Sequence, residues 1–426
     1  MDIQDKSRLE ELVERLKLLH DISKKIMESK PLNVLLDEII QHSITVMQAE
    51  AASLLLYDSK KHKLVFHLVK GGEADYIKSL ELDIGKGIAG WVAKEKQTVL
   101  IEDCYTDPRF NKDFDKQTGF RTLTMICGPL LKKDKLIGVM QVINKVGKKM
   151  FDESDQEIFE TLASQCAVAI DNARLTSIQI KAARLENELE TARKIQENLL
   201  PKVLPEYLDI AVRTKLIPAT KIGGDYYNVI QIDGNNSLFM VIDVSGKSIS
   251  AALIVSGIHT FIETYLIINR SGFVLKDFVN SLNKFLIGYT TSDKFASGWF
   301  GLFDHKSKTL ESINCGHTPT FIFKGKDKYS ELLSGGIFLG IYDLEYSSEL
   351  NQLKTDDAIV FYSDGITEAW NTDKEEFGED QLIDVLRNNI DENAGKILNA
   401  VTDAVARFVG RAEQSDDLTL GVVKIL

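Results

Sequence analysis

SLFMVIDVSG at residues 237–246, AIVFYSDGITEAW at 358–370 and EQSDDLTLGVV at 413–423 share one construction. In the first two, an apolar run rich in Val, Ile and Phe, as a buried strand requires, ends on an acid beside turn-forming residues: Asp243 before Val-Ser-Gly, and Asp364 before Gly365. The third reverses the order, with Asp416 just ahead of the apolar run that closes the chain. A fourth stretch, KIGGDYYN at 221–228, sets Asp225 behind Gly223 and Gly224. Asp is common at strand ends and turns, so each case alone carries little. Together they predict strands laid side by side whose ends gather Asp225, Asp243, Asp364 and Asp416 at one edge.

Gathered carboxylates repel, so such a cluster needs protons or cations. Magnesium and manganese answer that need with hard oxygen ligands, whereas zinc favours His and Cys, which do not surround these four positions. Two such ions bridged by one carboxylate lower the pKa of a shared water and hold a phosphoryl group for in-line attack, which is hydrolysis without a covalent intermediate. Neither a GxSxG elbow nor a Walker GxxxxGK[ST] loop competes with this chemistry.

Around this site the chain is long, 426 residues with 44% hydrophobic, enough for two or three cores. It contains no uninterrupted apolar run of about 18 residues, and MDIQDKSRLEELVERL at the start is charged where a secretory signal is apolar. The expectation is a cytoplasmic chain with no membrane partner. A net charge of −12 without clustered Lys and Arg excludes nucleic acid. Cys104, Cys127, Cys166 and Cys315 stand singly among apolar neighbours, as buried thiols do.

Three- and four-residue spacing of Leu9, Leu12, Leu16, Leu19, Ile22 and Ile26 predicts an amphipathic helix over 1–29. A helix from Leu35 to Val46 then leads into alternating stretches, AASLLLY, KLVFHLV, TVLIED, TMICGPLL and KLIGVMQVIN, which predict a sheet domain over 30–172. From Asp155 to Leu200 there is neither Pro nor Gly. Leu175, Ile178, Ala182, Leu185, Leu189, Ala192, Gln196 and Leu199 step by three and four, the repeat of a coiled coil, so 173–200 reads as a linker helix that pairs two copies. Pro201 ends it, and 201–426 forms a second domain.

ARKIQENLLP, IGGDYYN, IDVSGKSISAALIVSG, INCGHTPTFIF, GIFLGI, YSDGITEAWN and SDDLTL, in that order from Ala192 to the end, resemble the SpoIIE/RsbU branch of the PPM metal-dependent protein phosphatases. The resemblance implies an α/β/β/α sandwich with two Mn or Mg ions between the sheets. It makes Asp225 and Asp243 catalytic, with Asp243 bridging the ions, the Val244 carbonyl assisting, and Asp364 and Asp416 completing the metal set. Asn228 stands where the family often has Asp and is left out of that set. No general acid follows Asp243 as it does in the wider family, which leaves a water or Lys247. Cys315 replaces a common Ala, and His317, ahead of Pro319, is assigned a structural hydrogen-bonding role.

GKGIAGWVA at 85–93, the stretch from Val99 to Leu130 and LIGVMQVINK at 136–145 resemble a GAF domain. Asn144, Lys145, Phe151 and Asp155 follow the NKxₙFx₃DE pattern of cyclic-nucleotide-binding GAF domains, with Gln156 in place of the last Glu. Family experience puts that pattern near the ligand pocket, in support of it. The whole reads as an α+β chain: a GAF sheet domain, a coiled-coil linker helix and a phosphatase sandwich.

The expected function is that of a GAF-regulated, Mn- or Mg-dependent serine/threonine phosphatase in bacterial-type signalling. Its cofactors are two ions, with a cyclic nucleotide or another small ligand in the GAF domain. The partners implied by resemblance are a second copy of the chain and a phosphorylated STAS-domain anti-sigma antagonist. The alternatives are a dimeric scaffold with an inactive phosphatase domain and a nucleotide cyclase. The last is opposed because GGDYY lacks the Glu-Phe of a GGDEF turn and is followed by DVSG, SDG and SDD.

Overall fold

The computed structural model describes residues 30–70, 81–147, 149–246, 249–291 and 293–426, with positions 17, 20, 24 and 28 before them. The helix expected over 1–29 lies outside the described residues apart from those four positions, and so does Lys247. The chain divides into two units, Met1–Arg184 and Leu185–Leu426.

In the first unit, Leu35, Leu36, Ile39, Ile40, Val46 and Met47 put one apolar stripe on helix α1 (Leu32–Met47), which stops where Gln48 turns left-handed. Strands β1 (Ala49–Asp58), β2 (Lys63–Lys70), β3 (Glu81–Asp83), β4 (Val99–Ile101), β5 (Met125–Lys132) and β6 (Lys135–Lys145) form one antiparallel sheet in the order β3-β2-β1-β6-β5-β4. Period-two alternation sends adjacent Leu54 and Leu55 of β1 to opposite faces of the sheet and so into different cores. On one face α1 packs with the start of helix α4 (Glu153–Glu197) through Ile158, Phe159, Leu162, Cys166 and Ile170. The other face is covered by Ile88 and Val92 of helix α2 (Gly87–Glu95), while α3 (Lys112–Thr118) lies in the connection to β5.

Helix α4 runs from Glu153 to Glu197, 45 residues without Gly or Pro, so nothing in its backbone chemistry interrupts it. Leu175, Ile178 and Leu185 of the expected heptad stripe lie exposed on it. The end of the stripe is used otherwise: Leu199, past the helix, packs against the core of the second unit.

That unit is built on two sheets. One contains β8 (Asp225–Gln231), β9 (Asn236–Val244), β10 (Ala296–Asp304), β11 (Thr309–Cys315), β14 (Gly335–Gly336) and β15 (Glu349–Gln352), in the order β14-β11-β10-β9-β8 with β15 also on β11. The other contains β7 (Ile210–Ile217), β12 (Thr320–Phe323), β13 (Tyr329–Leu332), β16 (Ala358–Tyr362) and β17 (Leu418–Ile425), in the order β13-β12-β16-β17-β7.

Period-two alternation sorts their side chains into layers. Leu238, Met240 and Ile242 of β9 face helices α5 (Ile249–Asn269) and α6 (Leu275–Tyr289), while Phe239 and Val241 face the other sheet. Val360 and Tyr362 of β16 face α7 (Gly378–Asn389) and α8 (Ala394–Val409), while Ile359 and Phe361 turn inward. Trp299 and Phe361 stack across the middle with ring centroids 5.5 Å apart. The result is the helix–sheet–sheet–helix sandwich. By length and composition α5 could cross a bilayer, but its Ile254, Val255, Ile258 and Ile262 belong to the buried core.

Candidate active site and metal centre

The alternation that turns Phe239 and Val241 inward also turns Asp243 inward at the end of β9. Asp225 on β8 and Ser297 on β10 are its direct partners across the strands, so Asp225, Asp243 and Ser297 form one row between the sheets. Burial and the neighbouring Asp243 charge hold the Asp225 carboxyl well above the usual carboxylate range. Thr419, from the opposite sheet, donates its hydroxyl to Asp225 Oδ2.

Asp243, Asp364 and Asp416, with Val244, Ser297 and His317, line one cavity of about 370 Å³. Asp225 stands behind Asp243 and does not line it. Among the described residues no three His, Cys, Asp or Glu side chains converge tightly enough to close a metal shell unaided. The donors facing the cavity are nevertheless oxygens, and both nitrogens of its histidine are engaged, His317 Nδ1 with Ser297 and Nε2 with the Tyr362 carbonyl. A hard cation that keeps part of its water shell fits this donor set, and a thiophilic one does not.

The two acids of Ser-Asp-Asp divide the work. Asp416 lines the cavity and accepts the Asp417 N–H at 2.9 Å. Asp417 is buried and faces the Ile222–Asp225 turn instead: its Oδ1 accepts from Ala219 N at 2.8 Å, and its Oδ2 from Gly224 N at 2.8 Å and Asp225 N at 3.5 Å. A Cβ on Gly223 would lie 2.2 Å from Asp417 Oδ2, and one on Gly365 2.0 Å from the Asp417 carbonyl, so the close approach of these loops requires both glycines. Asn228 has the opposite parity from Asp225 and donates to the Tyr226 hydroxyl at 2.9 Å on the helix side, away from the acidic row.

The sequence picked out neither Asp417, Ser297, Thr419 nor the role of Gln196, whose side chain bonds the Gly223 backbone. No sequence signal separates Asp417 from Asp416, and for the others each partner is far away in the chain.

In the first unit a cavity of about 320 Å³ opens between the sheet and α2, walled by Phe66, Ile88, Phe110 and Phe120, with Ser53 and Gln141 among its polar lining. Ser53 Oγ donates to Gln141 Oε1 at 2.7 Å, while Gln141 Nε2 reaches the sulfurs of Met125 and Cys127, each at 3.6 Å. Asn144, Lys145, Phe151 and Asp155 do not line this cavity. Asn144 accepts from Leu123 N at 2.8 Å and donates to Glu50 and to the Arg121 carbonyl, both at 2.9 Å, which pins β6 to the loop before β5. Lys145 bonds buried Asp155 and lies over the Phe151 ring, which ties β6 to the start of α4. The four cysteines are buried, and desolvation pushes the thiols of Cys104, Cys127 and Cys166 up to about 12.

The GAF domain family pattern matches residues 31–170, and that of Stage II sporulation protein E (SpoIIE) matches residues 233–426. The fold of the second unit is also that of the SiaA-PP2C domain of Pseudomonas aeruginosa, with a TM-score of 0.52 at 17% identity, covering 58% of this chain and 99% of that one. A probable 3',5'-cyclic phosphodiesterase of Caenorhabditis elegans is 30% identical over 187 residues, 42% of this chain and 25% of that protein. The cGMP-specific 3',5'-cyclic phosphodiesterase of Drosophila melanogaster is 37% identical over 134 residues, 29% of this chain and 12% of that protein. The chain thus spans a quarter or less of these two relatives, and the phosphodiesterase matches fall on the GAF domain. The chain accordingly joins a GAF domain, residues 31–170, to a SpoIIE domain, residues 233–426.

Proposed function

We propose that this chain is a protein serine/threonine phosphatase that depends on Mn or Mg and is regulated through its GAF domain. The observation that carries the reading is the inward row of Asp225 and Asp243, continued across one cavity by Asp364 and Asp416. Asp225, Asp243, Asp364 and Asp416, with the Val244 carbonyl, would hold the ions, and Asp243 would touch both. Bound there, two divalent ions supply a nucleophile at neutral pH and neutralise phosphoryl charge. The chain's own part is geometric: Asp417 fixes the Gly223–Asp225 turn and Thr419 orients Asp225.

The substrate follows from the motif resemblance: phosphoserine or phosphothreonine on a STAS-domain anti-sigma antagonist. The exposed Leu175, Ile178 and Leu185 support a homodimer through the linker helix. The aromatic-walled cavity of the GAF domain supports a small planar ligand there, and the similarity to cyclic phosphodiesterases makes a cyclic nucleotide the first to try.

The experiment is release of phosphate from a phosphoserine protein by the full chain, with Mn and with EDTA. Turnover with Mn that stops in chelator is expected. Equal rates in both would end the metal-dependent reading, and no turnover on any phosphoprotein would favour the inactive scaffold.

A further inference from the structure

Asn314 shapes the turn that presents His317. Its Oδ1 accepts the His317 N–H at 2.7 Å, and its Nδ2 reaches the carbonyls of His317, Thr318 and Leu332, each at 3.2 Å. The imidazole is held, buried, between two partners. Its Nε2 stands 3.0 Å from the Tyr362 carbonyl, which can only accept, so Nε2 carries the proton. Nδ1 is then a bare lone pair, and Ser297 Oγ, at 2.7 Å, must donate to it. Burial pushes the imidazole down to about 4, which keeps it in this neutral form at neutral pH.

A serine hydroxyl has one proton and two lone pairs. With its proton committed to His317, Ser297 offers the cavity lone pairs only. It does so from the position directly across from Asp243, at the end of the row Asp225, Asp243, Ser297. We infer that Ser297 is a catalytic residue of the hydrolysis, accepting a hydrogen bond from the attacking water and holding it beside Asp243, and that His317 is the positioning residue that locks the serine rotor.

A phosphate ester dianion has no hydrogen to donate, so this acceptor favours water over a phosphoryl oxygen at the same spot. Ser297 keeps its proton and forms no covalent bond. The inference rests on the phosphatase reading. It also gives the His317 of Asn-Cys-Gly-His a part in the reaction beyond holding its turn.

The test uses the full chain at saturating Mn with a phosphoserine protein. Ser297→Ala is expected to lower kcat about 10- to 100-fold while KM changes less than about twofold, because a contact to the water is lost and none to the bound ester. Ser297→Thr, which keeps the hydroxyl, is expected within about fivefold of the parent. His317→Gln should lose about what Ser297→Ala loses, and the double variant no more, since one interaction is being removed. Mn binding measured by calorimetry without substrate should be the same for Ser297→Ala and the parent.

A Ser297→Ala kcat within twofold of the parent overturns the inference. So does a Ser297→Thr variant as slow as Ser297→Ala, or a loss of Mn affinity that matches the loss of kcat. Strictly additive losses in the double variant overturn the role of His317. Failure of the phosphatase reading would show separately, as a parent chain without Mn-dependent turnover, and would take this inference with it.

Discussion

The side-chain amide of Gln196, in the last turn of α4, pairs with both backbone groups of Gly223: Nε2 donates to the carbonyl at 2.7 Å and Oε1 accepts the N–H at 3.0 Å. Gly223 is two residues from Asp225, in the turn that Asp417 grips from the other side. The end of the long helix is therefore bonded to the loop that presents an acid of the candidate metal row. A pair of hydrogen bonds of this kind contributes on the order of 1–2 kcal/mol. Gln196→Ala is expected to weaken apparent Mn affinity roughly 3- to 30-fold. Superimposable Mn titrations for the variant and the parent would remove the link.

Asp243→Asn is expected to abolish turnover and leave the fold intact. Asp243 lies beside Asp225 and raises its pKa, so the two carboxylates repel in the absence of cations. Removing one charge relieves that repulsion while the isosteric amide fills the same space. Turnover within threefold of the parent at saturating Mn, or a melting temperature lowered by several degrees, would contradict this assignment. Asn228→Ala should change activity only modestly, because Asn228 serves the Tyr226 hydroxyl on the helix side.

His317 gives the second unit a pH dependence with a definite sign. Its folded value, about 4, lies below the ordinary 6.5, so on acidification the unfolded chain takes the proton first. The stability this contributes is present above pH ~6.5 and is lost as pH falls toward ~4, a swing on the order of 3 kcal/mol. His317→Gln should be less stable than the parent at pH 7, and that gap should narrow by pH 4.5. Denaturant unfolding at the two pH values checks it, and a gap independent of pH would refute it.

The Lys145–Asp155 pair supports the GAF domain from inside. Both side chains are buried, and Asp155 also accepts the Asp152 N–H at 3.0 Å. Removing one partner of a buried pair leaves the other charge uncompensated, at a cost of about 3–5 kcal/mol. Asp155→Asn is therefore expected to destabilise the GAF domain by about 3 kcal/mol, while the 320 Å³ cavity, which neither residue lines, keeps its walls. A stability change below about 1 kcal/mol in denaturant unfolding would make the pair incidental.

What the sequence revealed follows a simple physical division. Asp243 and Asp364 were legible because each ends an apolar strand, and a strand's alternation and its terminating turn are local signals. The β9–β10 register that sets Ser297 opposite Asp243 depends on two helices and a turn between them, and nothing near Ser297 marks it. Asp417 could not be separated from Asp416 by spacing, since both lie in the turn before β17, and only the position of the Gly223–Asp225 loop decides which acid meets the cavity. Gln196 read as a coiled-coil position because its partner, Gly223, is 27 residues away across Pro201. The NKxₙFx₃DE residues were recognised as a pattern, but their function as a clasp between β6 and α4 required the side-chain contacts.

The same geometry fixes where a linker experiment must cut. Gln196 is bonded to Gly223, Glu186 pairs with Lys221 at 2.7 Å, and Leu199 packs on the second unit, so the helix from Glu186 onward belongs to that unit. Ile158, Phe159, Leu162, Cys166 and Ile170 of α4 belong to the core of the GAF unit. Between them, Leu175, Ile178 and Leu185 are exposed among the described residues, the arrangement that pairing with a second copy would bury. An inserted residue between Ile178 and Ala182 turns everything after it by about 100°, which carries Leu185 off the face of Leu175 and Ile178. Seven inserted residues leave that face within about 20°. If a paired helix transmits the GAF state, the single insertion should fix activity high or low regardless of GAF ligand, and the seven-residue insertion should keep ligand control. Phosphate release by the two insertion variants, with and without the ligand retained by the purified GAF domain, decides the matter: parent-like control in both would reduce the helix to a tether, and loss of control in both would mean that length and not rotation carries the signal.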